Sequence, residues 1–550
     1  MSDIEDAIAI PVTPVTKVEG LDIGEPVSVR NSPPAYLSGS KLLLVFGALM
    51  LSGLLVNLDQ TIVATALPRI VSIFDALNLA TWVAAAYFLT QAGLMLGVGQ
   101  LITTIPIKGV YLSAITLFEV GSVICGAAPS MEVLIFGRAI AGCGAAGMTI
   151  CSVATLATFA RLEHRPLLFA GFGALVAFAS IIGPILGGAF TDHVSWRWCF
   201  YINLPIGALS FVAMAIWLPS YQPVNVSKSR GLLTRLSHIL DWAGLVMCLG
   251  FSICILLALT WGGSTKPWSS GAVIGPLCIA GVLFAIFIIW EGRQGEVALV
   301  PHFLFLRKSY TGACLEGMCL LTSLIVAVYY LPLWYQINGR SSIQSGIDIL
   351  PILLSFVIAA AISAGITKIT GHYKHLLVLC PLLSVAGSAL LFKVSASTSS
   401  AQLLGYQILV GVCAFQTTYI AIQAEWADTP DETTRASSIM TFLSNFGPLV
   451  CLSIAGAIFN NCLSTNIGRI SNLSPDLIKE LTQTITIISS LPEPLQSEVR
   501  KASVDSLNPV FLIVLTTSAL GTLLALLVKD HDLHERAAVM DTSRDLNQDV

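Results

Sequence analysis

From Leu42 to Val528 the chain alternates between long apolar stretches and short polar or Gly/Pro-containing turns. Stretches that can cross about 30 Å of hydrocarbon as helices fall near 42–67, 80–101, 109–128, 132–156, 167–190, 198–218, 241–261, 271–290, 311–334, 345–367, 375–394, 401–424, 436–460 and 508–528. The pattern predicts an all-α membrane protein with fourteen transmembrane helices. One connection is much longer than the others, residues 461–507, where Leu477, Ile478, Leu481, Ile485 and Ile488 recur at mostly helical spacing. An amphipathic segment at the outer interface and a solvated helix both fit that spacing. Residues 1–41 and 529–550 are polar and read as tails.

Composition strengthens the membrane reading: 55% of the residues are hydrophobic and 11% are charged, more apolar surface than a soluble chain can bury. The net charge of -4 is small and no basic block occurs, so nucleic acid is not an expected partner. Thirteen cysteines lie almost entirely within apolar runs and without CxxC spacing, which predicts packing residues. The eight histidines fall outside the span cores, so neither a metal site nor a cofactor is expected.

Orientation follows from alternate loops. With the N-terminus inside, inner loops carry Lys108, Arg161, Arg165, Lys228, Arg230, Arg235, Arg293, Arg307, Lys308, Lys368, Lys374 and Arg435, against Arg69, Arg197, Lys266, Arg340 and Lys393 outside. Both termini are therefore expected in the cytoplasm, with the cell membrane the expected location and a vacuolar or vesicle membrane the alternative. Of two glycosylation sequons, Asn225 falls on an inner loop and Asn472 on the long outer one, making Asn472 the candidate acceptor.

An ionisable residue within a span is a functional candidate. Asp59 lies about 17 residues into the outward-running first helix and Arg138 about 6 into the inward-running fourth, matching depths in the outer half at about 1.5 Å per residue. The pair is a candidate for proton coupling, since moving a guanidinium away from a carboxylate favours its protonation. A static ion pair is the structural alternative. Glu119, in the third helix, is a weaker candidate. The fifth helix carries Gly183, Pro184, Gly187 and Gly188, a small face that lets helices approach closely. Tyr87, Gln91, Trp334, Tyr335, Gln407 and Gln416 are candidate substrate-cavity residues, although packing also accounts for such side chains.

Leu58-Asp59-Gln60-Thr61-Ile62-Val63 through Leu67-Pro68 resembles the first-helix signature of fourteen-span drug:proton antiporters of the major facilitator superfamily. Gly137-Arg138 with Gly142 and Gly144 resembles the fourth-helix motif, and Gly183 to Gly188 the fifth-helix antiporter motif. Trp196-Arg197-Trp198, Tyr329 to Gln336 and Leu350-Pro351 resemble further landmarks, nearest to those of fungal toxin and multidrug efflux pumps. The resemblance implies the major facilitator fold: a six-helix bundle over 42–218, a linker with two inserted helices over 219–310, and a second six-helix bundle over 311–528. It departs at 99–108, where Thr103 stands in place of the family's usual acidic residue.

The resemblance implies proton-coupled efflux of small organic molecules by alternating access, with substrate, protons and the lipid bilayer as partners and a monomer as the working unit. Import or uniport of a metabolite and a non-transporting sensor with the same fold are the alternatives. An ATP-driven pump would need a Gly-Lys phosphate loop, and no Gly-Lys dipeptide occurs. No enzymatic activity is expected.

Overall fold

The computed structural model describes residues 36–538 apart from 77–78, 221–239, 264–265, 396, 428, 471–480, 482–487 and 489–490. Fourteen helices among the described residues are long and apolar enough to cross a membrane. In hydrocarbon each backbone N–H and C=O must bond within its own segment, and that requirement makes these runs helical whatever their intrinsic propensity.

The first half consists of α1 (Gly39–Phe74), α2 (Ala80–Leu101), α3 (Ile107–Ala127), α4 (Met131–Phe159), α5 (Arg165–His193) and α6 (Asn203–Trp217). Two helices follow, α7 (Trp242–Trp261) and α8 (Gly271–Gln294). The second half consists of α9 (Lys308–Ile337), α10 (Leu350–Thr370), α11 (Lys374–Phe392), α12 (Ser400–Gly411), α13 (Phe415–Glu425), α14 (Pro430–Ile467), α15 (Leu495–Asp505) and α16 (Asn508–Ala525). The twelfth stretch is thus two helices, separated by the non-helical Val412, Cys413 and Ala414, whereas the sequence pattern predicts one unbroken span.

Side-chain caps and turns set several helix ends. Asp75 ends α1 in the left-handed region at φ 49°, a conformation Asp tolerates. Asp241 caps α7 by accepting from the Gly244 N–H at 2.9 Å. Within each half the packing depends on small residues: a methyl at Gly144 would strike the backbone of Phe118, which allows α4 to lie against α3. The first and last membrane helices of each half are pinned by matching serine pairs. Ser52 Oγ lies 2.6 Å from Ser210 Oγ in one half, and Ser323 Oγ lies 2.7 Å from Ser518 Oγ in the other.

α7 and α8 pack on one another and reach the halves through α2 and α14. Leu249 and Leu245 of α7 lie over Gly93 and Gly97 of α2, where added methyl groups would come within 2.8 and 2.9 Å of them. Much of α8 is exposed, as expected of a lipid-facing helix.

Both described ends of the chain lie at one end of the bundle. Leu37 N–H donates to Phe159 O, Leu533 N–H donates to Gly371 O, and His534 lies 3.9 Å from Glu163. At this tail-bearing end one continuous apolar core joins the halves, running from Val45 and Phe159 to Tyr373, Ile422 and Val528. At the opposite end the core divides. One cluster, including Ile62, Leu134 and Phe200, belongs to the first half. The other, including Leu331, Leu403 and Val514, belongs to the second half and takes only Ala177 and Ile181 from the first.

Leu481 and Ile488 of the long connection are buried in that second cluster, alongside Val499 and Val504 of α15. Leu477, Ile478 and Ile485 lie outside the described residues, as do the candidate glycosylation site Asn472 and the inner sequon at Asn225.

Candidate functional site

Asp59 on α1 and Arg138 on α4 meet inside the first half, with Arg138 Nη1 2.5 Å from Asp59 Oδ2. Neither is accessible to solvent to any useful degree, at 0% and 2% exposure. Both side chains have further partners. Arg138 Nε donates to Val83 O at 3.1 Å, while Asn203 Nδ2 donates to Asp59 Oδ1 at 3.2 Å and to Ser122 Oγ at 3.1 Å. The guanidinium lies 4.3 Å over the ring of Tyr87, so Tyr87 serves the ion pair as a cation–π partner. Each charge has a close partner, and without one burial would cost several kcal/mol.

The fifth-helix glycines face the same helix as the acid, one turn further along. A methyl at Gly187 would lie 2.5 Å from Ile62 O, and one at Gly183 would strike Thr61 Oγ1. Thr61 Oγ1 in turn donates to Ala179 O at 3.2 Å. Gly188 faces open space and Pro184 is exposed, so two of the four motif residues take no part in this contact.

Between the halves lies a cavity of about 300 Å³. Its walls come from α1, α2, α4 and α5 on one side and from α9, α10, α13 and α14 on the other. Aromatic rings of Phe169, Phe172, Phe356, Phe415 and Tyr419 supply much of the surface, and the polar atoms are amides and hydroxyls such as Asn57, Gln60, Gln91, Gln416 and Asn445. Among the described residues no Asp, Glu, Lys, Arg or His lines it. Gln60 follows Asp59 directly and donates to Gln91 Oε1 at 3.3 Å, so the wall and the ion pair share one turn of α1.

Of the six candidate cavity residues, Gln91 and Gln416 line this cavity; Tyr87, Trp334, Tyr335 and Gln407 do not. Gln407 Nε2 instead donates to Tyr335 Oη at 2.8 Å and to Asp348 O at 3.0 Å, tying α12 to α9 and the α9–α10 connection. Trp334 is buried in the second-half cluster at the end opposite the tails. An amide or an aromatic ring in a span is equally suited to packing, and only the rotation of its helix distinguishes the two uses.

A latch closes the tail-bearing side of the cavity. Phe169 of α5 stacks on Tyr419 of α13 with centroids 5.1 Å apart and planes at 8°. One turn further, the buried Arg165 donates to Gln423 Oε1 at 3.0 Å and to Ala160 O at 3.0 Å. Along the chain Arg165 reads as an inner-loop charge, and its position beside Pro166 at a span start gives no sign of this role. Glu316 on α9 is fully buried as well. The span rule that singles out Asp59 applies equally to Glu316. The carboxyl oxygens of Glu119 are buried and without a hydrogen-bond partner among the described residues, packed against Gly207 of α6.

Comparison with known proteins agrees with this architecture. The sequence profile of the Major Facilitator Superfamily matches residues 49–452. The MFS-type efflux pump MFS1 of Arthroderma benhamiae is 35% identical over 92% of this chain and 94% of its own length. The efflux pump bfoC of Aspergillus brasiliensis is 39% identical over 80% and 78%, and the rubrofusarin-specific efflux pump aurT of Gibberella zeae is 37% identical over 78% and 79%. Among solved structures, the human organic anion transporter MFSD10 superposes with a TM-score of 0.54 at 15% identity, covering 90% of this chain and all of that one. The proton:xylose symporter XylE gives 0.55 at 12%, covering 91% and 99%. Two helical halves around one central cavity, with a profile match across most of both, make this chain a membrane transporter of the Major Facilitator Superfamily.

Proposed function

We propose that this transporter exports small organic molecules, secondary metabolites or drugs, in exchange for protons, with its tail-bearing end in the cytoplasm. Export is supported by the efflux pumps among its relatives. Neutral aromatic substrates are supported by the uncharged, ring-lined cavity, because a charged ligand would lose hydration there without gaining a counter-charge. Rubrofusarin, named for the Gibberella zeae relative, is accordingly a first compound to try. Gln416 Oε1 has no hydrogen-bond partner among the described residues and is available to a substrate hydroxyl.

Alternating access is supported by the asymmetry of the core, continuous at the tail-bearing end and divided at the other. With the tail-bearing end in the cytoplasm, the divided end of the core faces outward and the joined end closes the path inward. The observation that carries proton coupling is the buried Asp59–Arg138 pair, adjoining the cavity wall through Gln60. Protonation of Asp59 releases Arg138, and the cost of leaving that cation alone in the bundle then favours a rearrangement of α1 against α4. The fifth-helix glycines, packed on Thr61 and Ile62, transmit that movement to α5 and its latch.

The test is transport in sealed vesicles under an imposed pH gradient, following rubrofusarin fluorescence and internal pH together. Wild-type protein should show opposed fluxes of substrate and protons, and Asp59→Asn should abolish gradient-driven movement while keeping substrate binding. Gradient-independent movement in wild type would make the protein a uniporter and the Asp59 pair a structural one.

A further inference from the structure

Glu316 sits eight residues into α9 and is 0% exposed. Neither carboxyl oxygen has a hydrogen-bond partner among the described residues. Among the described residues, the titratable groups around it are the thiols of Cys319 on its own helix, Cys380 on α11 and Cys413 in the break between α12 and α13. Among the described residues no cation acts on it. A carboxylate left without donor or counter-charge in such a site would cost far more than the hydrogen bonds a folded structure otherwise gains, a cost that a bound proton removes.

Position and surroundings give that proton a use. The matched pairs Ser52–Ser210 and Ser323–Ser518 join the first and last membrane helices of each half and give each half a reference level. Asp59 lies seven residues beyond Ser52, whereas Glu316 lies seven residues before Ser323. At about 1.5 Å per residue the two acids sit about 10 Å to opposite sides of those levels, Glu316 toward the tail-bearing end.

The element beside Glu316 is the one best placed to move. α13 begins after a three-residue break, an irregularity that membrane helices tolerate only where protein or a cavity covers it. Its Phe415, Gln416 and Tyr419 face the cavity, and Tyr419 and Gln423 form the latch with Phe169 and Arg165 of the other half. Thr418, on the same helix, lies 3.0 Å from where a methyl at Gly317, next to Glu316, would stand. When the halves part at the tail-bearing end, α13 loses its partners on α5, and the break allows it to shift away from Glu316.

We propose that Glu316 is a second proton-binding site, in the second half of the transporter, which releases its proton on the tail-bearing side when α13 moves. This rests on the proton-coupled export proposed above. The site takes its proton from the cavity side while the latch is closed and the other end of the bundle is open, and in the conformation described it is loaded and sealed. Opening the latch exposes it to water on the opposite side, where the carboxyl gives its proton to solvent before the cavity reseals.

The experiment is infrared difference spectroscopy on full-length protein in lipid nanodiscs, which separates the carbonyl band of a protonated acid from that of a carboxylate. Wild type minus Glu316→Gln should show one protonated-acid band, and Glu316→Asp should move that band without removing it. On transfer to deuterated buffer the band should shift as the proton exchanges, and Phe169→Ala, which loosens the latch, should speed that shift severalfold. No band in the difference spectrum, or a band whose exchange is indifferent to Phe169→Ala, would overturn the proposal. In vesicles driven by a pH gradient, with rubrofusarin as the probe, Glu316→Gln should move fewer protons per molecule exported than wild type, and an unchanged ratio would also overturn it. Failure of wild type to couple rubrofusarin to protons would count against the proposed function alone, since the infrared measurement needs no substrate.

Discussion

The rings of Phe169 and Tyr419 stack face to face across the boundary between the two halves, 5.1 Å apart, directly beneath the cavity both of them line. A contact of this kind contributes about 1 kcal/mol beyond the area it buries. Phe169→Ala should therefore shift the ratio of closed to open latch by about fivefold. The measurement is hydrogen exchange of the Phe415–Glu425 amides, which should quicken in the variant; unchanged protection would mean that the stack does not hold the latch.

The Asp59–Arg138 pair should behave as a unit. Arg138→Ala leaves a buried carboxylate with Asn203 as its remaining donor and should destabilise the protein by about 3–5 kcal/mol, whereas adding Asp59→Asn to it should restore much of that loss. Thermal melting of the two single variants and the double variant in detergent gives the coupling. Additive losses would show that the charges do not depend on one another.

The fifth-helix motif divides into residues that touch α1 and residues that do not. Gly187→Val should abolish transport, because its side chain meets the backbone oxygen of Ile62, while Gly188→Ala meets nothing within 4 Å and should be tolerated. Vesicle transport normalised to the amount of inserted protein distinguishes the two. Equal loss in both would assign the motif a role other than helix contact.

The cavity wall makes a prediction about affinity. Gln416→Leu removes an unengaged acceptor and should weaken binding of a hydroxyl-bearing neutral aromatic such as rubrofusarin by about fivefold to tenfold. The same change should leave an aromatic that lacks hydroxyl groups almost unaffected. Fluorescence titration of purified protein with both kinds of compound checks it, and equal weakening of the two would mean that Gln416 shapes the wall without bonding to ligand.

Much of this molecule is already decided along the chain. Hydrocarbon about 30 Å thick and the need to close every backbone hydrogen bond leave a long apolar run little choice but a spanning helix, so fourteen spans are legible without a fold. Counting residues from alternate ends of α1 and α4 also brings Asp59 and Arg138 to one depth, because depth in a helix is linear in sequence. The glycine faces of α4 and α5 are legible for the same reason of fixed period.

What a side chain faces is another matter, since it depends on how each helix is rotated and on what stands across from it. Tyr87 and Gln91 lie one turn apart on α2, yet Tyr87 receives the guanidinium of Arg138 while Gln91 lines the cavity. Gln407 and Gln416 read alike in sequence, and they differ because one packs against Tyr335 and the other faces the opposite half. The break at Val412–Ala414 has no proline within it or glycine after Gly411 to announce it. The partnership of Arg165 with Gln423 joins residues far apart in sequence that meet only once the halves have closed. Length, hydropathy and depth were determined by the sequence alone because they belong to each span by itself; the latch, the cavity wall and the isolation of Glu316 belong to pairs of helices, and only tertiary packing decided them.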